Sequence, residues 1–131
     1  MKIFLGTDIC EIDRIKKVHL KFKDKFLNKV FTEKEIKYCE SQGQRIYQSL
    51  AARYSAKEAV SKALSVGING LGWADGIYFK DVEIIRAPNG SISLNLTNQA
   101  LIEQQKLKIN HWTISVSHSS NNAIATVIGH S

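Results

Sequence analysis

The stretch RYSAKEAVSKAL, residues 53–64, predicts a long helix near the centre of the chain. Ala, Lys, Glu and Leu favour the helix, and no Gly or Pro follows until Gly67. Glu58 and Lys62 are four residues apart, so they lie on one face of this helix, with Ser61 within a turn. An ordinary solvent-exposed Glu–Lys pair of this kind contributes only about 0.2–0.5 kcal/mol. A functional interpretation therefore needs support from elsewhere in the chain.

The N-terminal segment places a carboxylate just after a predicted strand. Residues 1–5 form a short apolar run that suits a buried strand, Gly6 permits close approach of another backbone, and Asp8 follows among apolar neighbours. A buried carboxylate has to be paired, hydrogen-bonded or bound to a metal ion. The alternative is that Asp8, together with Thr7, caps the next helix.

Length and composition place bounds on the class of protein. The 131 residues are enough for one domain with its own core, and we expect residues 1–131 to form a single domain. The sequence contains no apolar segment of membrane-spanning length and no secretory signal, so we expect a cytoplasmic protein without a membrane partner. Cys10 and Cys39 lack CxxC spacing and are expected to be reduced thiols in or near the core. The net charge of +6 indicates an anionic partner without identifying it.

Basic residues are concentrated in the predicted helix from Glu11 to about Val30. Arg14, Lys17 and Lys21 are separated by three and four residues, so on a continuous helix they share one face. Such a run is often only a solvated surface. Because few acidic residues balance the charge here, docking to an acidic surface fits the pattern better.

The remaining patterns indicate mixed helices and strands. Thr32 and Glu35 have the spacing of a capping box for a short helix toward Glu40. Gly67 is expected to cap the central helix, within a Gly-rich connection over residues 67–76. The predicted later elements are a hairpin of strands 81–86 and 91–96, a helix over 98–105 capped by Thr97, and strands over 111–118 and 123–128. Helices dominate the first half and antiparallel strands the second, so the expected fold class is α+β.

Several segments carry a resemblance to a known family. They are GTDICEIDRI at 6–15, FTEKEIKYC at 31–39, KEAVSK at 57–62, DVEI at 81–84 and VSHS at 116–119. In this order and chain length they resemble the phosphopantetheinyl transferases, and among these the short bacterial holo-acyl-carrier-protein synthases. The resemblance covers nearly the whole chain and implies a small antiparallel sheet packed with a long central helix. Positions between 67 and 78, including Asn69 and Trp73, depart from the family's usual sequence.

The resemblance implies a reaction and a set of partners. The expected reaction is transfer of 4'-phosphopantetheine from coenzyme A to a serine of apo acyl carrier protein, with release of adenosine 3',5'-bisphosphate, for fatty acid biosynthesis. The nucleophile then belongs to the carrier. The family's short members assemble as homotrimers with active sites between subunits, and the same assembly is expected here.

The expected site residues combine this resemblance with ordinary chemistry. Mg²⁺ takes one or two carboxylates together with phosphate oxygens and water, and the resemblance assigns Asp8 and Glu58 to it. Glu58 is also expected to remove the serine proton, directly or through a bound water, and Lys62 to stabilise or protonate the departing nucleotide. The side chains expected at the phosphates of coenzyme A are Arg45, Arg53 and Ser61, with His118 added by the resemblance. The resemblance assigns carrier binding to Arg14, and charge and spacing extend that role to Lys17 and Lys21.

Two other functions compete with this hypothesis. A transferase acting on peptide or polyketide carrier domains would have the same chemistry, but those enzymes are usually about twice this length. A small basic nucleic-acid-binding domain would use the positive charge and aromatics such as Phe22, Phe26, Trp73 and Trp112. It lacks a recognisable DNA or RNA motif and gives Asp8 and Glu58 no role, so we expect no nucleic-acid partner.

Overall fold

The computed structural model describes residues 1–68 and 76–131 and contains five strands and five α-helices there. In chain order these are β1 (Ile3–Glu11), α1 (Ile12–Phe22), α2 (Asp24–Val30), α3 (Glu33–Glu40), α4 (Ile46–Ala63), β2 (Val82–Arg86), β3 (Ile92–Leu96), α5 (Asn98–Lys106), β4 (His111–His118) and β5 (Asn122–His130). The expected α+β class is confirmed. The positions singled out at Asn69 and Trp73 lie outside the described residues. Of the helices described, none is both long and apolar enough to cross a membrane.

The strands form one three-stranded antiparallel sheet and a separate hairpin. The larger sheet has the order β1-β5-β4, with Asp8 opposite Ala125 and Ala125 opposite Val116. The hairpin pairs β2 with β3, as the sequence predicts. Side chains alternate between the two faces of a strand, so Gly6, Asp8 and Cys10 share the inner face of β1. Ile3, Leu5 and Ile9 lie on the opposite, outer face.

The long helix α4 is packed against β1 and β5 and is buried on most of its surface. Its small residues allow the sheet to come very close: a Cβ added at Gly6 would lie 1.8 Å from the carbonyl oxygen of Ala59. Strand and helix therefore touch through their backbones at this point, which explains why glycine is required there. The contact also brings Asp8, two residues after Gly6, beside Glu58, the residue before Ala59.

A buried ion pair connects α4 to α3 and the hairpin. Lys57 Nζ donates to Glu35 Oε1 over 2.7 Å, and both side chains are 0% exposed. Lys57 also donates to the carbonyl oxygens of Phe79 and Val82. The other Glu35 oxygen accepts from the N–H of Ile84. A charge in the core needs such partners, so this cluster fixes the relative positions of three elements.

The structure corrects three local predictions. The single helix expected over residues 11–30 breaks at Lys23, whose φ is 48°, and α2 then buries Leu27 and Val30. Asp8 does not cap a helix, because β1 continues to Glu11. The central helix ends at Ala63, and Ser65, not Gly67, has the positive φ beyond its end. The capping box of Thr32 and Glu35 is confirmed.

Candidate active site

Asp8 and Glu58 meet at one end of the contact between β1 and α4. They line a cavity of about 380 Å³ whose other walls include Ser61, Lys62 and Gly67. Asp8 reaches this cavity from the inner face of β1, and the others lie on the last turns of α4 or just after it. Four residues that the sequence placed in the site are therefore in one cavity: Asp8, Glu58, Ser61 and Lys62.

Lys62 pairs with Asp8. Its Nζ donates to Asp8 Oδ1 over 3.0 Å and to the carbonyl oxygen of Thr7 over 3.0 Å. Lys62 is exposed while the Asp8 side chain is nearly buried, so the ammonium group lies at the mouth of the cavity. The Ser61 hydroxyl donates to the Glu58 carbonyl oxygen over 2.7 Å, the back-bonded arrangement common for serine in helices. Ser61 lines the cavity wall, but its proton is directed toward the helix backbone.

The charges of this cavity are unbalanced. Asp8 Oδ2 is buried and has no hydrogen-bond partner within the described part of the chain. Burial, followed by the negative charge of Asp8, raises the pKa of Glu58 to about 7, against the opposing effect of Lys62. A buried carboxylate oxygen left unpaired is costly, and a cation between the two carboxylates would remove that cost.

The donor set fits a hard divalent cation. Mg²⁺ uses few protein carboxylates and keeps water and phosphate oxygens as its other ligands, which the pair Asp8 and Glu58 could complete. Clusters of three or more His, Cys, Asp or Glu side chains suited to a metal are absent from residues 1–68 and 76–131. A transition-metal site with all-protein ligands is thus not found in that part of the molecule.

A second cavity, of about 210 Å³, gathers the other residues predicted to bind phosphate. Arg45, Arg53 and His118 line it, together with Arg86 of β2 and Tyr38 of α3. Arg53 is only 7% exposed, and its Nε has no hydrogen-bond partner among the described residues. Its guanidinium carbon lies 4.2 Å from the centroid of the Tyr38 ring, which holds the group in place. Three arginines around one cavity give it a positive charge, which suits an anion.

The two cavities are on different sides of α4. Arg53 and Glu58 are five residues apart, which corresponds to about 140° around a helix of 3.6 residues per turn. The residues lining one cavity do not line the other. Within one chain, the residues predicted to bind coenzyme A therefore lie in two places. Ser61 lines the cavity of the acidic pair, whereas Arg45, Arg53 and His118 line the arginine cavity.

A third cavity, of about 400 Å³, lies on the α1 side of Glu58. Its polar lining consists of Glu58, Arg14, Tyr54, Glu11 and Asn122. Its apolar lining consists of Ile9, Cys10, Ile15, Val18 and Phe26. Glu58 lines both this cavity and the one it shares with Asp8. A group entering from the α1 side would thus reach the same carboxylate.

The basic face of α1 extends outward from this third cavity. Arg14, Lys17 and Lys21 all lie within α1 and are exposed, as the sequence predicts. Arg14 lies at the cavity itself, whereas Lys17 and Lys21 follow along the helix. The face therefore begins beside Glu58 and leads away from it.

Sequence analysis missed Arg86 and Tyr38 in the arginine cavity. Arg86 is the last residue of β2, immediately before the predicted turn, and a strand-end arginine carries no signal of its own. Tyr38 belongs to the short helix α3, whose sequence pattern indicates a capping box but not a binding site. Their proximity to Arg53 depends on how α3 and the hairpin pack on α4, which local patterns do not reveal.

Comparisons with known proteins agree on one family. The profile described as the 4'-phosphopantetheinyl transferase superfamily matches residues 4–128. The holo-[acyl-carrier-protein] synthase of Herpetosiphon aurantiacus is 39% identical over 125 residues, covering 95% of both chains. That of Natranaerobius thermophilus is 40% identical over 128 residues, covering 98% of this chain and 97% of the relative.

Among solved structures, the chain is similar to Helicobacter pylori holo-[acyl-carrier-protein] synthase in complex with coenzyme A. The TM-score is 0.80 at 32% sequence identity, covering 96% of this chain and 99% of the other. The fold expected from the resemblance is confirmed by this similarity. On the profile match and the near full-length relatives, the chain belongs to the 4'-phosphopantetheinyl transferase superfamily.

Proposed function

We propose that this protein transfers 4'-phosphopantetheine from coenzyme A to a serine of apo acyl carrier protein, in fatty acid biosynthesis, and that residues 1–131 act as one transferase domain. Its relatives are holo-[acyl-carrier-protein] synthases, and the similar H. pylori structure is a complex with coenzyme A. The observation that carries the proposal is the pair Asp8 and Glu58, with a buried Asp8 oxygen that has no partner among residues 1–68 and 76–131 and with Lys62 at the cavity mouth.

Asp8 and Glu58 are proposed to hold Mg²⁺. Two carboxylates, one with a buried oxygen that no other described residue contacts by a hydrogen bond, fit this ion, which fills its remaining positions with phosphate and water. When bound, Mg²⁺ would neutralise negative charge on the pyrophosphate of coenzyme A. Lys62 adds a positive charge beside the same cavity and can turn toward the phosphates, because its side chain is largely exposed.

Glu58 is proposed as the general base. The serine oxygen forms a bond to the β-phosphorus, the bond from that phosphorus to the bridging oxygen breaks, and adenosine 3',5'-bisphosphate leaves. Glu58 accepts the serine proton. Its pKa of about 7 belongs to the metal-free chain, and Mg²⁺ bound to the same carboxylate would lower it. Lys62 stabilises or protonates the leaving phosphate. Glu58 lines both the α1-side cavity and the cavity of the acidic pair, as a base between a serine and a pyrophosphate should.

The arginine cavity is proposed to bind the phosphates of coenzyme A for a neighbouring copy of the chain. Arg53 is turned away from the acidic pair by the geometry of α4, and Arg45 and His118 line its cavity and not that of the acidic pair, so a site using both groups would lie between subunits. The outer face of the large sheet supports such an assembly. Its apolar side chains Ile3 and Leu5 are 65% and 62% exposed, unusual for a sheet left in water. A homotrimer is the assembly we propose.

The basic face of α1 is proposed to bind acyl carrier protein. Arg14 would contact the carrier closest to the serine, since it lines the same cavity as Glu58, and Lys17 and Lys21 would contact it further along α1. The apolar lining of this cavity offers room for an uncharged side chain next to the serine. We also propose a cytoplasmic location, supported by two buried free thiols, Cys10 and Cys39.

Intact mass spectrometry of the carrier tests the reaction. The protein is incubated with coenzyme A, Mg²⁺ and apo acyl carrier protein, alongside Asp8→Ala, Glu58→Ala and, as a matched carboxylate control, the exposed Glu40→Ala. We expect a phosphopantetheine-sized mass gain that requires Mg²⁺, persists in the control and is lost in both site variants. No gain with any carrier tested would refute the function and make nucleic-acid binding the next assay. A gain that survives both site variants would refute the assigned site alone.

A further inference from the structure

Packing anchors α1 at its start more than at its end. Ile12 and Ile15 are its buried residues, and both lie in the first turn. In the second half Leu20 and Phe22 are exposed, and Val18 is only half-buried. Core packing therefore fixes the start of the helix more firmly than its direction beyond Ile15.

One hydrogen bond connects the second half of α1 to the first turn of α4. His19 Nδ1 and the Tyr47 hydroxyl are 2.9 Å apart in a partly buried position. The two rings lie 5.6 Å apart between centroids at 55°, and Lys16 Nζ is 5.8 Å from the centroid of the Tyr47 ring. A phenol can donate to or accept from imidazole, and can accept from imidazolium, so the bond is compatible with either charge state of His19.

This His19–Tyr47 contact joins the helix that carries the basic face to the helix that carries Glu58. Lys17 and Lys21 flank His19 in sequence, two residues to either side. Lys21 lies six residues beyond Ile15, or about 9 Å along the helix axis. A 10° change in the direction of α1 about Ile15 would thus move the base of Lys21 by roughly 1.6 Å at that distance. A shift of this size lengthens a charge-assisted contact across an interface or forces the lysine stem into another rotamer, and either change weakens the contact.

We infer that His19 and Tyr47 are positioning residues for the acidic partner of α1: their contact sets the distance of Lys17 and Lys21 from Glu58. The inference rests on the proposed function, in which an acidic carrier docks on this face. Neither residue lines the cavity of the acidic pair or the arginine cavity. Substitution of His19 or Tyr47 should therefore weaken carrier binding and leave the binding of coenzyme A unchanged.

The test removes the phenol hydroxyl and leaves the ring, with Tyr47→Phe. We expect KM for apo acyl carrier protein to rise about 3- to 10-fold, the effect of losing one hydrogen bond, while KM for coenzyme A and kcat stay within about twofold. His19→Phe should give the same result, and the double variant should be no worse than either single variant. Gln104→Leu is the matched control, because it removes a partly buried 3.0 Å bond from Trp112 that connects β4 and α5.

The interaction with Lys21 separates positioning from general stability. Lys21→Ala should raise KM for the carrier less in the Tyr47→Phe background than in the original protein, because the misplaced lysine already contributes less. A carrier KM unchanged in both single variants would overturn the inference. So would a parallel rise in both KM values with a lowered Tm, which indicates a purely structural role. Absence of transfer by the unmodified protein would instead refute the proposed function.

Discussion

Replacing Lys57 with Met should destabilise the protein by about 3–5 kcal/mol, the usual cost of breaking a buried ion pair from one side. Lys57 is fully buried and donates to Glu35 and to two backbone carbonyls. Burial lowers the pKa of Lys57, and the Glu35 carboxylate opposes this. Without Lys57, the Glu35 charge stays in the core, and its remaining donors in the part of the chain that the structure describes are the N–H groups of Thr32 and Ile84.

The magnitude follows from what remains after each substitution. Met fills much of the volume of the lysine stem, so a cavity contributes little, and the cost comes from the unpaired carboxylate and the Val82 carbonyl, since the Phe79 carbonyl still accepts from the N–H of Val82. Glu35→Gln should also destabilise, because it leaves the ammonium without its counter-ion. In the double variant neither charge is present, and the amide introduced at position 35 can still accept a hydrogen bond from the N–H of Thr32 or Ile84. The double variant should therefore cost at least about 2 kcal/mol less than the sum of the single variants.

The assay is urea unfolding followed by far-UV circular dichroism at one fixed chain concentration, since any assembly would add to the apparent stability. Lys106→Met is the control: it removes an ion pair to Glu103 whose lysine is 65% exposed, and it should change the free energy of unfolding by less than about 1 kcal/mol. A loss below about 1 kcal/mol for Lys57→Met, or additive costs for the two single variants, would refute this account of the buried pair.

Three shorter predictions follow from the same structure. The Glu58 pKa is about 7 in the folded chain and ordinarily 4.5, so between these pH values the folded chain binds a proton that the unfolded chain does not. Without metal, protonated Glu58 should contribute about 1–2 kcal/mol to the free energy of unfolding, after allowance for its partial exposure. This contribution is complete below pH 4.5 and is lost as the pH rises through 7. Thermal unfolding should show this loss and Glu58→Gln should lack it; equal pH dependence in both would contradict the shift. Gly6→Ala should lower the free energy of unfolding by at least about 1–3 kcal/mol, because the new Cβ would overlap the Ala59 carbonyl. It should also weaken the proposed Mg²⁺ binding at least about tenfold in calorimetry, because it displaces Asp8 from Glu58. An unchanged Mg²⁺ affinity would contradict this second expectation. Leu5→Lys on the outer sheet face should convert the proposed homotrimer to monomers in analytical ultracentrifugation, and a trimer that persists in this variant would exclude that face as the interface.

The sequence predicts best where chemistry is local. The helix around Glu58 and the Thr32–Glu35 capping box depend on neighbouring residues, and the structure has both. Gly6 indicates a close backbone approach, and the structure confirms it, but the partner, Ala59, is set by tertiary packing. The break at Lys23 could not be anticipated, since a positive φ in a lysine has no sequence signal. The partner of Lys57 was missed because Glu35 lies 22 residues away, and such pairing depends on tertiary packing.

The separation of Arg53 and Glu58 was already contained in the sequence, because their spacing fixes their angle on a helix. Residue type alone groups Arg53 with Ser61 as phosphate ligands, whereas the helix angle separates them. Which face of β1 would be covered was harder to predict: Ile3, Leu5 and Ile9 alternate with Gly6 and Asp8, and apolar residues occupy the side away from α4. Apolar residues on the face away from α4 are expected only if that face is also covered by a partner.

The division of α4 between two cavities has a genetic consequence. If each reaction centre takes its acidic pair from one copy and its arginines from the next, a chain lacking Glu58 can still lend Arg53 to a neighbour, and a chain lacking Arg53 can still supply Glu58. Two alleles, each inactive alone, would then complement one another when both are expressed in one cell. Mixed assemblies would contain one intact centre wherever the two kinds of chain meet in the right order.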